Sequence, residues 1–127
     1  MDLTEKAVDS EICYQGVIVT VRMDRAQLPN GRVARREVVE HPGGVAILPL
    51  AEGGNVLTVR QYRYPFGQVL LEVPAGKMEP GEDPRQCALR ELHEEVGAVP
   101  RELVDVGELY LSPGFCDEVL HLYLARG

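Results

Sequence analysis

The chain has no tryptophan and only two phenylalanines, and none of its apolar runs approaches the roughly 18 residues a membrane-spanning helix needs. Nor does its start carry the apolar core of a secretory signal, so neither export nor a membrane partner is expected. Its three cysteines, Cys13, Cys87 and Cys116, are odd in number, far apart and without a CxxC pair. This excludes a disulfide framework or a zinc ribbon and reads as reduced packing thiols in a cytoplasmic protein. Basic residues are in the minority: 13 Lys and Arg against 20 Asp and Glu give a net charge of −7. A nucleic-acid surface would need the opposite balance. G-x-S-x-G, the P-loop and the dinucleotide-binding glycine run are absent, which removes the common serine-hydrolase and nucleotide-fold signatures. His41, His93 and His121 are scattered and read as structural or solvated.

What is present suits one globular core: 127 residues, 45% hydrophobic and 26% charged. After a polar, frayed residue 1–10 segment, Glu11 to Met23 is rich in β-branched residues and reads as one strand. Asn30-Gly31 is a strong hairpin signal, so Val33 to His41 is expected to pair back. Pro42-Gly43-Gly44 breaks the chain. Further strands are expected over Val45–Leu50, Val56–Tyr64, Val69–Pro74, Leu103–Leu111 and Val119–Ala125. With one clear helix, the pattern is α+β around a mixed β-sheet. A boundary near 41/42 separates an N-terminal strand and hairpin region, 1–41, from a main domain, 42–127.

The chain is organised around Gly76 to Ala98, GKMEPGEDPRQCALRELHEEVGA. Asp83 is a natural N-cap with Pro84 at the first helical position and Gln86 placed to close a capping box; Gly97 sits just past the end. Ala88, Leu89, Leu92 and Val96 form an apolar stripe expected to face the core. Arg90, Glu91, Glu94 and Glu95 lie on the other side. Glu91 and Glu95 are i,i+4 neighbours, a like-charge pair that costs roughly 0.2–0.5 kcal/mol. The glutamates also crowd the negative end of the helix dipole. Local penalties of this kind mark functional sites. An oxygen-only donor set favours a hard dication, Mg²⁺ or Mn²⁺, over zinc. A merely solvated charged face is the plainer reading of the same charges.

The full spacing decides between them. Gly76, five residues, Glu82, seven residues, then Arg90-Glu91-Leu92-x-Glu94-Glu95-x-Gly97-Ala98 resembles the complete Nudix box, with Ala98 smaller than the usual aliphatic. Beyond it, RREVVEHPGGVAILPL (35–50), VRQYRYPFG (59–67), LEVPAGKMEPGE (71–82) and YLSPGFCDE (110–118) are similar to the ADP-ribose pyrophosphatase branch, including Pro113. The resemblance implies a Nudix-type α/β/α sandwich and hydrolysis of ADP-ribose to AMP and ribose 5-phosphate. Another nucleotide sugar, or a non-catalytic ADP-ribose sensor, is the alternative. It also implies that Glu91, Glu95 and the Ala75 carbonyl hold metal, that Glu94 is a further ligand or water-holder, and that Glu82 pairs with Arg90. Arg63 would contact the diphosphate, and Arg36 and Glu37 the adenosine end, within the chain or across a homodimer. Glu118 is a further candidate near the metals. Relatives continue beyond the position of Arg126 through an acidic loop and a C-terminal helix, and that loop often supplies the general base. The base is left unassigned here, the favoured expectation being that the segment is absent from this sequence, with Glu94 or Glu118 as substitutes, or weak activity, as the alternatives.

Overall fold

A computed structural model describes residues 1–127, and its contacts divide into two compact units. The first is Met1–Pro42 with Tyr110–Glu118; the second is Gly43–Leu109 with Val119–Gly127.

The first unit is a three-stranded antiparallel sheet in the order β1-β2-β3: Lys6–Gln15, Thr20–Gln27 and Val33–Glu40. Two expectations are corrected here. The first ten residues are not all frayed, because β1 begins at Lys6, and Glu11 to Met23 is two strands rather than one. The chain turns at Gly16, whose N–H donates to the Val19 carbonyl at 2.8 Å, and the Tyr14 ring lies against the glycine where a side chain would stand. One glycine inside a β-branched run is a weak signal, so the turn is hidden in the pattern. Asn30-Gly31 does turn β2 into β3: Gly31 has φ +86°, and Leu28 and Arg32 pair across it. The 110–118 segment is fastened to β3 through Val39 N–H to the Phe115 carbonyl (2.6 Å) and Asp117 N–H to the Val39 carbonyl (3.1 Å).

The second unit holds a mixed four-stranded sheet in the order β7-β4-β9-β8. Its strands are β4 (Gly44–Leu50), β7 (Ala75–Lys77), β8 (Glu102–Tyr110) and β9 (Val119–Arg126), with β4 parallel to β9 and antiparallel to β7. A separate hairpin joins β5 (Val59–Arg63) to β6 (Gln68–Glu72). The three-residue β7, inside the glycine-rich loop, is too short to show a period of two in the sequence.

Helix α1 spans Pro84–Val96, the one α-helix of the chain. The Asp83 side chain accepts the Gln86 N–H, and Gly97 closes the far end at φ +66°. The helix packs on β4 and β7. The core is Val45, Ile47, Cys87, Ala88, Leu92, Leu103, Tyr123 and Ala125, joined by Met78 and Val96. Leu89 is a correction: it is 39% exposed, while Cys87 and Glu91 are buried in its place. At about 100° per residue, the buried arc runs from Cys87 through Glu91 to Leu92, and Leu89 falls past its edge. The arc facing the sheet therefore keeps Ala88 and Leu92 of the aliphatic stripe and adds Cys87 and Glu91 on its other side.

Candidate active site

The site grows from the contact between β7 and α1. Gly44 stands opposite Lys77 and Ala46 opposite Ala75, which sets the β7 backbone beside the helix. A Cβ on Gly76 would overlap the Glu91 carboxyl group, so only a glycine leaves room for that carboxylate against the strand. Burial lifts the Glu91 carboxyl above the ordinary range, and neighbouring Glu94 adds to this while Arg90 opposes it. Glu95 is lifted in the same way, first by burial; its Oε2 accepts the Ala75 N–H at 3.4 Å, and the Glu91 charge pushes it further up.

Arg90 organises the other side. Its Nε and Nη2 form a two-pronged pair with Glu82, both at 2.9 Å, and Nη1 donates to Glu91 (2.9 Å) and Glu94 (3.3 Å). Nη2 also donates to the Lys77 carbonyl at 3.3 Å. The fork holds the Glu82 carboxyl far below its usual range, at about 2, and drives the Arg90 pKa up. Glu82 in turn accepts the Glu79 N–H at 3.1 Å, which pins the loop between β7 and the helix. Beneath it, burial pushes the Cys87 thiol up to about 12, so this cysteine is an inert packing group.

Glu91, buried, and Glu95, exposed but bonded to the Ala75 N–H, are carboxylates on adjacent turns, and the arginines near them, Arg90 and Arg63, are already paired with other acids. The donors are oxygens, and the glycine lets one of them, the Glu91 carboxylate, lie against the β7 backbone. That set fits a hard dication of the Mg²⁺ kind, which retains several waters and takes one or two protein carboxylates together with substrate phosphates. No group of three or more His, Cys, Asp or Glu side chains is gathered into a ready-made cage.

Other candidates fall in different places. Arg63 makes a bidentate pair with Glu72, both contacts 2.7 Å, and the Glu95 charge also acts on its guanidinium. Glu72 was not singled out by the sequence; its one signal is position, a carboxylate three residues before Ala75 on a hairpin face shared with Arg63. In the first unit, Arg36 and Glu37 line a cavity of about 400 Å³ together with Asp24, Ala26, Pro113 and Phe115. Arg36 is held there by Glu5 at 2.9 and 3.1 Å. Glu118 belongs to that unit too, 3.6 Å from His41 Nδ1. His121 lies 3.5 Å from Glu108, and His93 is exposed.

Against known proteins, the family described as NUDIX domain matches residues 40–127, and the one described as nucleoside diphosphate sugar hydrolase N-terminal domain matches residues 5–47. An ADP-ribose pyrophosphatase of Bacillus subtilis is 42% identical over 124 residues, 98% of this chain and 67% of its own. A methanol dehydrogenase activator of Bacillus methanolicus is 43% identical over 97% of this chain and 66% of its own. The chain thus spans about two thirds of the length of these relatives. Among solved structures, a crystal structure of an ADP compounds hydrolase superposes with a TM-score of 0.86 at 23% identity, covering 99% of this chain and 69% of that one, a likeness of fold.

Proposed function

The chain belongs to the Nudix family, and from that premise we propose that it is a metal-dependent hydrolase that splits ADP-ribose with water into AMP and ribose 5-phosphate. The observation that carries the reading is the pair of carboxylates on adjacent helical turns, Glu91 buried against Gly76 and Glu95 bonded to the Ala75 N–H, both lifted above the ordinary carboxylate range. The ADP-ribose assignment draws on the relative of that activity and on the Pro113 turn.

Glu91, Glu95 and the Ala75 carbonyl are the groups to hold Mg²⁺, with Mn²⁺ as the substitute. A divalent cation there supplies the charge that lets a polyanionic diphosphate approach an acidic site and neutralises what builds up on its oxygens. The protein's own part is positional. Arg63 offers donors to the diphosphate, and Arg90 keeps Glu91 and Glu94 in register with the loop by bonding both. Glu94, more than half exposed, is our candidate among these residues to receive the proton of the attacking water as its oxygen bonds to phosphorus and the bridging P–O bond breaks, with Glu118 as the alternative. Arg36 and Glu37 are retained as candidates for the adenosine end, and Glu118 as a further polar candidate.

No helix is long and apolar enough to cross a membrane. We place the enzyme in the cytoplasm, where its three free thiols stay reduced. We assign residues 1–41 to homodimerisation, since β1 is exposed along its whole length, Ile12 and Tyr14 included. Gel filtration of the protein and of a variant with both made serine tests this: the variant should elute as a monomer, and an unchanged elution would remove the assignment.

Because one family match carries the description nucleoside diphosphate sugar hydrolase N-terminal domain, a nucleotide sugar is the second reading of the substrate. Comparing kcat/KM for ADP-ribose and for a series of nucleoside diphosphate sugars separates the two. A sugar nucleotide preferred by tenfold or more would replace ADP-ribose.

A further inference from the structure

The Arg63–Glu72 pair has an unexpected geometry. In the hairpin register Arg63 stands opposite Gln68 and Glu72 opposite Val59, so the two are four residues apart along one face, roughly 13 Å of strand. An ordinary cross-strand pair would join Arg63 to the residue opposite it. Instead both contacts of the fork close at 2.7 Å on the distant carboxylate. The arginine is drawn back along its face, away from the hairpin tip and towards the start of β7, where Glu95 accepts the Ala75 N–H.

The fork also decides what remains available. Nε and one N–H of Nη2 are committed to Glu72, so the two N–H groups of Nη1 and the second of Nη2 are left without a protein acceptor. Two of them, one on each Nη, share the end edge of the guanidinium, and the third, on Nη1, lies on the side of Cδ. Arg63 is 39% exposed and Glu72 25%, so the pair sits at the rim of the unit, open to a ligand. As a stabilising contact, a half-exposed ion pair contributes little, around 0–1 kcal/mol. As a binding device it gives up part of the attraction of a bare arginine for a polyanion. What it gains is a fixed direction for a planar donor set that otherwise rotates on a long flexible stem.

We propose that Glu72 is the positioning residue for the diphosphate grip: its carboxylate draws Arg63 back along the β5–β6 hairpin and turns the free end edge of the guanidinium, one N–H from each Nη, to the substrate's diphosphate beside Ala75 and Glu95. This rests on the reading of Arg63 as a diphosphate contact. Glu72 touches neither substrate nor metal in this arrangement and acts through the arginine alone.

The test is a double-mutant cycle on the whole protein with Glu72→Gln, Arg63→Ala and the double variant. The readouts are KM and kcat for ADP-ribose with Mg²⁺, the Kd for ADP measured without turnover, and Tm. Glutamine keeps the shape but accepts only one prong of the fork. Glu72→Gln should raise KM and the ADP Kd on the order of tenfold, with kcat and Tm little changed. In the Arg63→Ala background the same change should add nothing. Should Glu72→Gln fold poorly, Glu72→Asp carries the test: the charge is kept one methylene short, and a several-fold rise in KM at unchanged Tm is expected. Additive effects, or a loss of Tm with KM unmoved, would reduce Glu72 to a structural role. A fall in KM would make Glu72 a competitor of the substrate and overturn the proposal. If Arg63→Ala itself leaves the ADP Kd unchanged, the underlying assignment of Arg63 fails, and this proposal fails with it; if only the Glu72 variants are silent, the proposal alone is lost.

Discussion

Gly76 and Glu91 form the smallest unit on which the site depends, a missing side chain and the carboxylate that fills its place. Gly76→Ala should therefore displace Glu91 and lower kcat/KM by about a hundredfold, the scale of a 1 Å misplacement in a catalytic constellation. Steady-state kinetics check this, and an alanine variant with wild-type rates would remove the cradle. Glu95→Gln should lose most turnover without loss of Tm, because its charge is opposed by burial and by Glu91. Unchanged turnover would remove Glu95 from the metal site. Glu82 behaves in the opposite sense. Its folded pKa is depressed from 4.5 to about 2 by the Arg90 fork, so the stability it contributes is present above its unfolded value and is lost as pH falls through that window. Urea midpoints between about pH 5 and pH 2 should drop more steeply for the wild type than for Glu82→Gln; parallel curves would show that the fork adds nothing. The glycine spacing and each of these carboxylates were legible as letters. That Glu91 is buried was not, because a charged residue reads as solvent-facing until the strand it packs on is known.

At the level of elements, α1 was the most legible part of the chain because both its ends carry chemical signals. Asp83 caps the Gln86 N–H and Gly97 takes the left-handed conformation. The rotation of the helix about its axis was less visible. Hydropathy placed Leu89 inside, but the packed arc is set by contact with β4 and β7 and includes Cys87 and Glu91 instead. Leu92→Ala removes a fully buried side chain and should cost about 2–5 kcal/mol by denaturant titration, whereas Leu89→Ala should cost well under 1 kcal/mol. Equal costs would contradict the observed rotation. The strands show the same division. Those bounded by Asn-Gly or Pro-Gly were found, while the β1–β2 turn at Gly16 and the short β7 were not, since one glycine or three residues carry too little pattern.

For the molecule as a whole, an acidic chain is read as a hydrolase of an acidic substrate, and the two facts are reconciled by a cation. Net charge −7 repels a diphosphate at long range, so binding as well as chemistry should depend on the metal. The most direct measurement is the release of AMP and ribose 5-phosphate from ADP-ribose by the purified protein, first with Mg²⁺ and then with a chelator in excess. The account predicts both products in equal amounts with Mg²⁺ and their loss in chelator, with recovery when Mg²⁺ or Mn²⁺ is restored. Release that persists in chelator, or a protein that is stabilised by ADP-ribose and Mg²⁺ yet never cleaves it, would contradict it.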